Sequence, residues 1–270
     1  MTIFESIILG IVEGITEYLP VSSTGHMIFA SSFMGIQEDA FTKLFEVCIQ
    51  LGAILSVMVL YWRKFFDFSK WQFYLKLMIA VVPALVLGFV LNDWIDELLE
   101  SPQMVADMLI VGGVFLLFID KVFKNAEVHT ESDIQHKNAF MIGLWQCLAL
   151  IPGVSRSAAS IIGGMQQKLT RSVAAEFSFF LAVPTMAAAT GYSMFLKKWQ
   201  LNGTEMKGFE MLQQGNNLMT FSIGAMVSFI VAMVAIKTFI SYLQKHGFKA
   251  FGIYRIVAGI CLLLFFMMKG

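Results

Sequence analysis

Charged residues are scarce in this sequence, and their scarcity bounds what the protein can be. Asp, Glu, Lys and Arg together make up 14% of the 270 residues, whereas hydrophobic residues make up 57%. An ordinary soluble domain carries about 25% charged residues. Too few are available here to cover a surface that faces water, so the composition excludes a typical soluble enzyme and indicates an integral membrane protein.

The sequence also has few cysteines and no net charge. The three cysteines, Cys48, Cys147 and Cys261, lie in apolar stretches without the spacing of a disulfide framework or a zinc site. The 19 basic residues equal the 19 acidic residues in number, which gives no indication of a nucleic-acid partner. A basic start is missing too, and Glu5 and Glu13 interrupt the first apolar run, so the N-terminus does not resemble a cleavable signal peptide.

Long apolar runs, in contrast, are abundant. A helix needs about 20 apolar residues to cross a bilayer, and six stretches meet this requirement: 41–62, 74–91, 105–122, 172–195, 218–240 and 250–268. Segments 6–30 and 138–165 are also apolar, but each has a polar, proline-containing break near its middle. A bilayer tolerates such a break only where protein or a water-filled cavity satisfies the backbone. We therefore predict an all-α integral membrane protein with six transmembrane helices and two re-entrant helical hairpins.

The two broken segments resemble each other. "ILGIVEGITEYLPVSSTGHM" aligns with "MIGLWQCLALIPGVSRSAAS" so that Gly10 meets Gly143 and Ser22 meets Ser155. Each half of the chain is then one hairpin followed by three spans, and an odd number of crossings turns the second half upside down. We predict a single membrane domain with an inverted-topology repeat, its first copy at 1–125 and its second at 135–270. Such repeats place paired helix breaks near the membrane midplane.

Each break is followed by a new helix start rich in hydroxyl groups. Free N–H groups and the helix dipole make such a start a ready anion site. Arg156 adds a planar guanidinium suited to phosphate, and an arginine inside a membrane is costly enough to indicate function. The alternative is an arginine that snorkels to the interface, although Arg156 lies in mid-segment between serines. The candidate substrate-binding residues are Arg156, Ser22, Thr24, Ser155, Ser157 and Ser160.

Two carboxylates precede the first break. Glu13 and Glu17 are four residues apart, which places them on one face of a helix. Beside a bound anion they would repel it unless a divalent cation lay between, and Mg²⁺ or Ca²⁺ prefers such oxygen ligands. A proton shared by the pair, or a backbone contact, is the alternative. The second repeat has Gln146 and Leu150 at the matching positions.

A candidate nucleophile follows the first break. In a helix Ser23 and His26 share a face, which pairs a hydroxyl with a proton-transfer group. The alternative is that Ser22 and Ser23 only cap the helix and His26 is a buried histidine with satisfied hydrogen bonds. The proximity of Arg156 and the glutamate pair favours a catalytic role.

Taken together, "EGITEYLPVSSTGH" and "PGVSRSAAS" resemble the two signature motifs of undecaprenyl pyrophosphate phosphatases of the bacitracin-resistance type. "FEVCIQLGAIL" and "EFSFFLAVP" extend the resemblance. It implies removal of the terminal phosphate from the C55 isoprenoid pyrophosphate left by cell-wall polymer synthesis, with Mg²⁺ or Ca²⁺ dependence. It also implies catalytic or substrate-binding roles for Glu13, Glu17, Ser23, His26 and Arg156. The family commonly has threonine where this chain has Ser160, and the hydroxyl is kept.

The resulting hypothesis is a membrane phosphatase. Arg156 and the two helix starts would hold the pyrophosphate, Ser23 would attack the terminal phosphoryl group, and His26 would assist proton transfer. Whether a phosphoserine forms or water attacks directly is left open, as is homodimer formation. Because inverted repeats with midplane breaks are also typical of transporters, a carrier of polyprenyl phosphate or another anion is the alternative.

The distribution of basic residues predicts an orientation. Segment 31–40 is acidic and lacks both Lys and Arg, whereas Arg63, Lys64 and Lys70 lie on the opposite side of the next span. Because positive charge prefers the cytoplasm, we predict that the first hairpin opens to the extracytoplasmic side of a bacterial cytoplasmic membrane. The Lys197–Lys198 pair is a mild exception.

Three further charged residues lie outside the two motifs. Glu46 and Glu176 match across the repeats, and we expect structural roles for them, such as accepting hydrogen bonds from the hairpin backbone. Arg255 in "GIYRIVAG" is expected to snorkel from a helix end.

Overall fold

A computed structural model describes residues 1–99, 101–201 and 203–269, and for Lys269 the backbone alone. Gly270, the last residue of the predicted second repeat, lies outside these ranges. The helices are α1 (Ile3–Thr16), α2 (Ser23–Phe33), α3 (Ala40–Cys48), α4 (Gln50–Leu60), α5 (Trp62–Phe65), α6 (Trp71–Val90), α7 (Asn92–Leu99), α8 (Pro102–Val122), α9 (His136–Gln146), α10 (Arg156–Gln166), α11 (Arg171–Phe195), α12 (Gly208–Leu212), α13 (Asn217–His246) and α14 (Lys249–Lys269).

Six membrane spans are present in the described part of the chain, as predicted. They are α6, α8, α11, α13, α14 and the run Ala40–Leu60, in which α3 and α4 are separated at Ile49. The protein is therefore an all-α, multi-pass membrane protein. One small element was not predicted: strands Lys198–Leu201 and Thr204–Lys207 pair in antiparallel fashion in the loop after α11.

The two hairpins are too short to cross the bilayer. α1 has 14 residues and α9 has 11, lengths that extend about 21 Å and about 17 Å at 1.5 Å per residue. The hydrocarbon core is about 30 Å thick. Pro20 and Pro152 lie within the breaks, where a missing N–H and a restricted preceding residue oppose helix continuation.

The aligned serines of the two breaks adopt the same unusual conformation. Ser22 has φ +69° and Ser155 has φ +78°, in a region that non-glycine residues seldom occupy. Each then caps the helix that follows: the hydroxyl of Ser22 accepts from Gly25 N at 3.3 Å, and that of Ser155 from Ala158 N at 3.2 Å. Such strain persists only where the surroundings enforce it, and it concentrates at functional sites.

Helices of the two halves exchange partners in a symmetric way. α1 packs along α13 from the other half, α9 packs along α6, and α8 packs along α14. The contacts are close at glycines: a side chain at Gly10 would place its first carbon 2.7 Å from the carbonyl oxygen of Gly224. This exchange holds both hairpins inside the bundle, where their broken backbones are shielded from lipid.

Aromatic rings fill much of the core beside the hairpins. Phe180 on α11 makes edge-to-face contacts with Tyr61, Phe65 and Phe73, with centroids 5.2 to 5.6 Å apart. Tyr18, in the first break, is fully buried against Phe179 and donates to the carbonyl of Ala53 at 2.8 Å. Offset aromatic pairs stabilise a core beyond their buried area, so these rings stabilise the packing around the first break.

Candidate active site

The two helix breaks meet through a buried ion pair. Glu17 ends α1, and Arg156 is the first residue of α10. Arg156 Nη2 is 3.0 Å and Nε is 3.3 Å from Glu17 Oε1, while Nη1 donates to the carbonyl of Ser178 at 3.0 Å. The exposed fractions of the two side chains are 7% and 4%. The structure therefore brings the predicted carboxylate and guanidinium together at one place.

Glu17 also contacts the candidate nucleophile. Ser23 Oγ, at the first residue of α2, donates to Glu17 Oε2 at 2.6 Å. One carboxylate thus binds the serine through one oxygen and the arginine through the other. A hydroxyl hydrogen bonded to a base is the arrangement of an activated serine, and Ser23 stands at a helix N-terminus, where negative charge is stabilised.

Among the described residues, no hydrogen bond joins His26 to Ser23, in contrast to the pairing expected from the sequence. Its Nδ1 is 2.7 Å from the carbonyl oxygen of Ser22, and its Nε2 is 2.7 Å from the hydroxyl of Tyr254. Because a carbonyl can only accept, Nδ1 carries the proton, and in the neutral ring Nε2 accepts from the tyrosine. The rings stack with centroids 5.5 Å apart. His26 therefore faces α14, and Glu17 occupies the position beside Ser23.

Most of the predicted hydroxyl groups hold the two hairpins in place. Ser157 Oγ donates to the carbonyl of Leu19 at 2.7 Å, which joins one break to the other. Ser160 Oγ donates to the carbonyl of Arg156 at 2.8 Å and lies 2.6 Å from Ser178 Oγ. Ser22 and Ser155 are the helix caps described above. These four side chains shape the site through the backbone.

Thr24 differs from these four residues. It lies in the first turn of α2, next to Ser23, and its side chain is half-buried. Across the described ranges its hydroxyl has no hydrogen-bond partner. Among the six predicted substrate-binding residues, it has the hydroxyl that is most available to a ligand.

Comparison with known proteins shows the family of this chain. The chain matches the model of the family described as bacitracin resistance protein BacA over residues 6–261. It belongs to this family. It is 56% identical over 265 residues to the undecaprenyl-diphosphatase of Flavobacterium johnsoniae, covering 98% of this chain and 96% of the relative. It is 57% identical to that of Flavobacterium psychrophilum, with the same coverages, and 48% identical to that of Porphyromonas gingivalis, covering 100% and 98%.

In this BacA-family chain, Glu13 is a buried carboxylate without a hydrogen-bond donor. Both of its oxygens lack a partner in the described part, and the charged groups that act on it are Glu17, Arg156 and Glu46. An unpaired carboxylate is costly to bury, so a bound cation or a proton is needed to compensate its charge. No group of three or more His, Cys, Asp or Glu side chains with metal-binding geometry occurs among the residues described. Two carboxylates would suit Mg²⁺, which keeps several waters and takes further oxygens from phosphate; a proton shared by the pair is the alternative.

Among the described residues, Glu176 and Glu46 do not make the hairpin-backbone hydrogen bonds expected from the sequence. Glu176 pairs with Lys64 at 3.3 Å, and Lys64 also pairs with Glu131 at 2.9 Å. Partial burial lowers the pKa of Lys64, but the two carboxylates outweigh this effect and raise the pKa above its usual value. Glu46 is half-buried on α3, and its Oε1 has no partner in the part of the chain that the structure covers.

The prediction that Arg255 snorkels from a helix end is wrong. The residue was expected to snorkel toward the interface, but its side chain is fully buried between α14 and α8 and reaches the two breaks. Sequence reasoning missed this role, and it also missed Tyr254. A signal was available for Arg255: it lies seven residues into an apolar span, and Gly112 and Gly113 on another span make room for it.

Proposed function

We propose that this chain hydrolyses undecaprenyl pyrophosphate to undecaprenyl phosphate and inorganic phosphate. The observation that carries the proposal is the carboxylate of Glu17, which contacts Ser23 through one oxygen and Arg156 through the other. The names of the three relatives, at 48% to 57% identity, support the same substrate. The reaction would return the lipid carrier to cell-wall synthesis, and consumption of its pyrophosphate form would favour bacitracin resistance.

Substrate binding would use the groups that converge on the breaks. Three of the five N–H groups of Arg156 have protein acceptors, which leaves two for phosphate oxygens. The first turn of α2 adds the hydroxyl of Thr24 and free backbone N–H groups. Phosphoryl transfer depends mainly on such positioning and charge neutralisation.

The chemical step would begin at Ser23. Its oxygen would bond to the terminal phosphorus as its proton passes to Glu17 Oε2, 2.6 Å away. The bond from that phosphorus to the bridging oxygen would break, so that undecaprenyl phosphate leaves with the electron pair. Water would then release inorganic phosphate from the serine. If water attacks directly instead, Ser23 and Glu17 would orient and deprotonate that water.

His26 would act on the leaving group. Its Nε2 points toward α14 and away from Ser23, and the stacked Tyr254 is 48% exposed on the outer surface of the bundle. A lipid tail has to remain in the bilayer while its head group enters the site. We infer that the head group enters between α2 and α14. When the ring is protonated at both nitrogens, its Nε2 would give a proton to the departing phosphate.

Glu13 and Glu17 would hold a divalent cation. When bound, Mg²⁺ or Ca²⁺ would supply positive charge that offsets the charge of the phosphates. Glu13 offers two oxygens without a donor, and Glu17 turns its oxygens toward Ser23 and Arg156.

Phosphate release from detergent-solubilised protein tests the function. Detergent removes the two compartments that a transporter requires, so release of inorganic phosphate from undecaprenyl pyrophosphate would establish hydrolysis. Ser23→Ala should lower kcat at least about 1,000-fold, because it removes the nucleophile. Ser222→Ala, on the exposed face of α13, is the matched control and should keep full activity. A wild-type protein that binds the lipid but releases no phosphate would overturn the proposal.

A further inference from the structure

Arg255 is a fully buried arginine whose hydrogen bonds all go to backbone carbonyls. The described residues include no carboxylate within ion-pair distance of it. Nε has one N–H and each Nη has two, and five acceptors match them: Leu109 O at 3.3 Å from Nε, Pro20 O at 3.3 Å and Val154 O at 2.9 Å from Nη1, and Met108 O at 3.0 Å and Gly153 O at 2.8 Å from Nη2. The guanidinium is therefore saturated, and it has no N–H left for a phosphate.

Three of these acceptors lie in the two helix breaks. Pro20 belongs to the first break, and Gly153 and Val154 belong to the second. Carbonyls at a break lack the N–H of a following helical turn, and at membrane depth water does not replace it. One planar group thus satisfies carbonyls of both hairpins at the same time, which fixes one break relative to the other.

The other two acceptors anchor the guanidinium itself. Met108 and Leu109 lie on α8, which packs along α14. The fit is tight: a side chain at Gly112 would place its first carbon 2.7 Å from the guanidinium carbon. Because two long, packed helices hold the guanidinium of Arg255, this group can fix the position of the two breaks.

We propose that Arg255 is a positioning residue that sets Ser23 and Arg156 at their working separation. Pro20 lies three residues before Ser23, and Gly153 lies three residues before Arg156. Each acceptor is thus directly upstream of one half of the site, so a shift at either carbonyl moves a reacting or phosphate-binding group. Lysine has three donors on one point charge and cannot span carbonyls from both breaks and α8.

Two variants test the proposal, which rests on the proposed hydrolysis for its assay. Arg255→Lys keeps the positive charge and removes the planar guanidinium. Gly112→Ala leaves Arg255 unchanged but displaces its guanidinium. The matched controls are Arg171→Lys, whose arginine pairs with Asp120 at 2.7 Å outside the hairpins, and Gly191→Ala, where a new side chain meets nothing within 4 Å.

The measurements are kcat and KM for undecaprenyl pyrophosphate in detergent, normalised to monodisperse protein, together with Tm. Arg255→Lys should lower kcat about 100-fold and Gly112→Ala about 10-fold, with KM within about threefold, because small misplacements affect the reacting geometry more than lipid binding. Both controls should turn over like wild type. A purely structural role would lower Tm and yield but leave kcat per folded molecule unchanged.

Three results would overturn the proposal. They are unchanged kcat in both variants, a rise in KM at constant kcat, and failure of both variants to yield folded protein while the controls fold. The last result would assign Arg255 to assembly of the bundle. Hydrolysis by the wild-type protein is measured in the same experiment, so failure of the positioning role is separate from failure of the proposed function.

Discussion

Glu17 and Arg156 are 139 positions apart in the sequence, and Arg156 Nη2 lies 3.0 Å from Glu17 Oε1. The contact joins the end of α1 in the first hairpin to the start of α10 in the second. Removing one partner of a buried ion pair typically costs about 3–5 kcal/mol, because a charge is left unpaired. The pair therefore both assembles the site and makes each half dependent on the other.

Arg156→Lys should retain a positive charge and lose most activity. The guanidinium contacts Glu17 and the carbonyl of Ser178 and still has two N–H groups for phosphate, whereas an ammonium has three donors in all. We expect kcat to fall about 100-fold, measured as phosphate release by folded protein. Arg63→Lys, at an exposed arginine on α5, is the control. Turnover near wild type would show that charge alone is sufficient at position 156.

Glu17→Gln should reduce turnover more than His26→Gln does. Glu17 contacts the Ser23 hydroxyl directly, but His26 bonds Ser22 and Tyr254. Loss of a general acid or base typically costs about 100- to 10,000-fold, and Glu17→Gln also leaves Arg156 without its counter-ion. Steady-state kinetics of the two variants, with circular dichroism to confirm folding, give the order. The opposite order would assign proton abstraction from Ser23 to the histidine.

The membrane spans and the helix breaks could be predicted from the sequence, because local patterns determine them. Six apolar stretches became six spans, and the breaks at Pro20 and Pro152 were visible because proline and serine interrupt apolar runs. The likeness of the two broken segments also predicted that Ser22 and Ser155 are equivalent, and both have positive φ. Helix propensity, hydropathy and chain reversal act over a few residues, so a single sequence can reveal them.

Contacts between distant elements were beyond sequence reasoning. His26 was paired with Ser23 because they share a helical face, but the ring is held by Tyr254, 228 positions away. Arg255 was expected to snorkel from a helix end. Its actual acceptors are backbone carbonyls, which the identities of the side chains do not reveal. Which face of a helix meets which neighbour depends on packing of the whole bundle.

Removal of divalent cations should abolish turnover. The Glu13 carboxylate has no donor in the described residues, and Mg²⁺ or Ca²⁺ would compensate it. We expect EDTA to stop phosphate release, added Mg²⁺ or Ca²⁺ to restore it, and Mg²⁺ to raise the Tm of the wild-type protein. Glu13→Gln should weaken both effects, while Glu38→Gln, at an exposed carboxylate, should not. Full activity in EDTA would favour a proton shared by Glu13 and Glu17.

The first hairpin should open to the extracytoplasmic side, since the loop between α2 and α3 is poor in basic residues. Two single-cysteine variants test this, in a chain without Cys48, Cys147 and Cys261. Glu38→Cys lies in that loop and Ser69→Cys lies before α6, and both positions are exposed.

A membrane-impermeant thiol reagent should label Glu38→Cys in intact cells whose outer membrane, where present, has been permeabilised. It should label Ser69→Cys only after the cells are lysed, because one span separates the two loops. Total thiol labelling in denaturant controls for expression, and phosphate release confirms that each variant folds. Labelling of Ser69→Cys alone in intact cells would reverse the orientation and place the opening of the first hairpin at the cytoplasmic face.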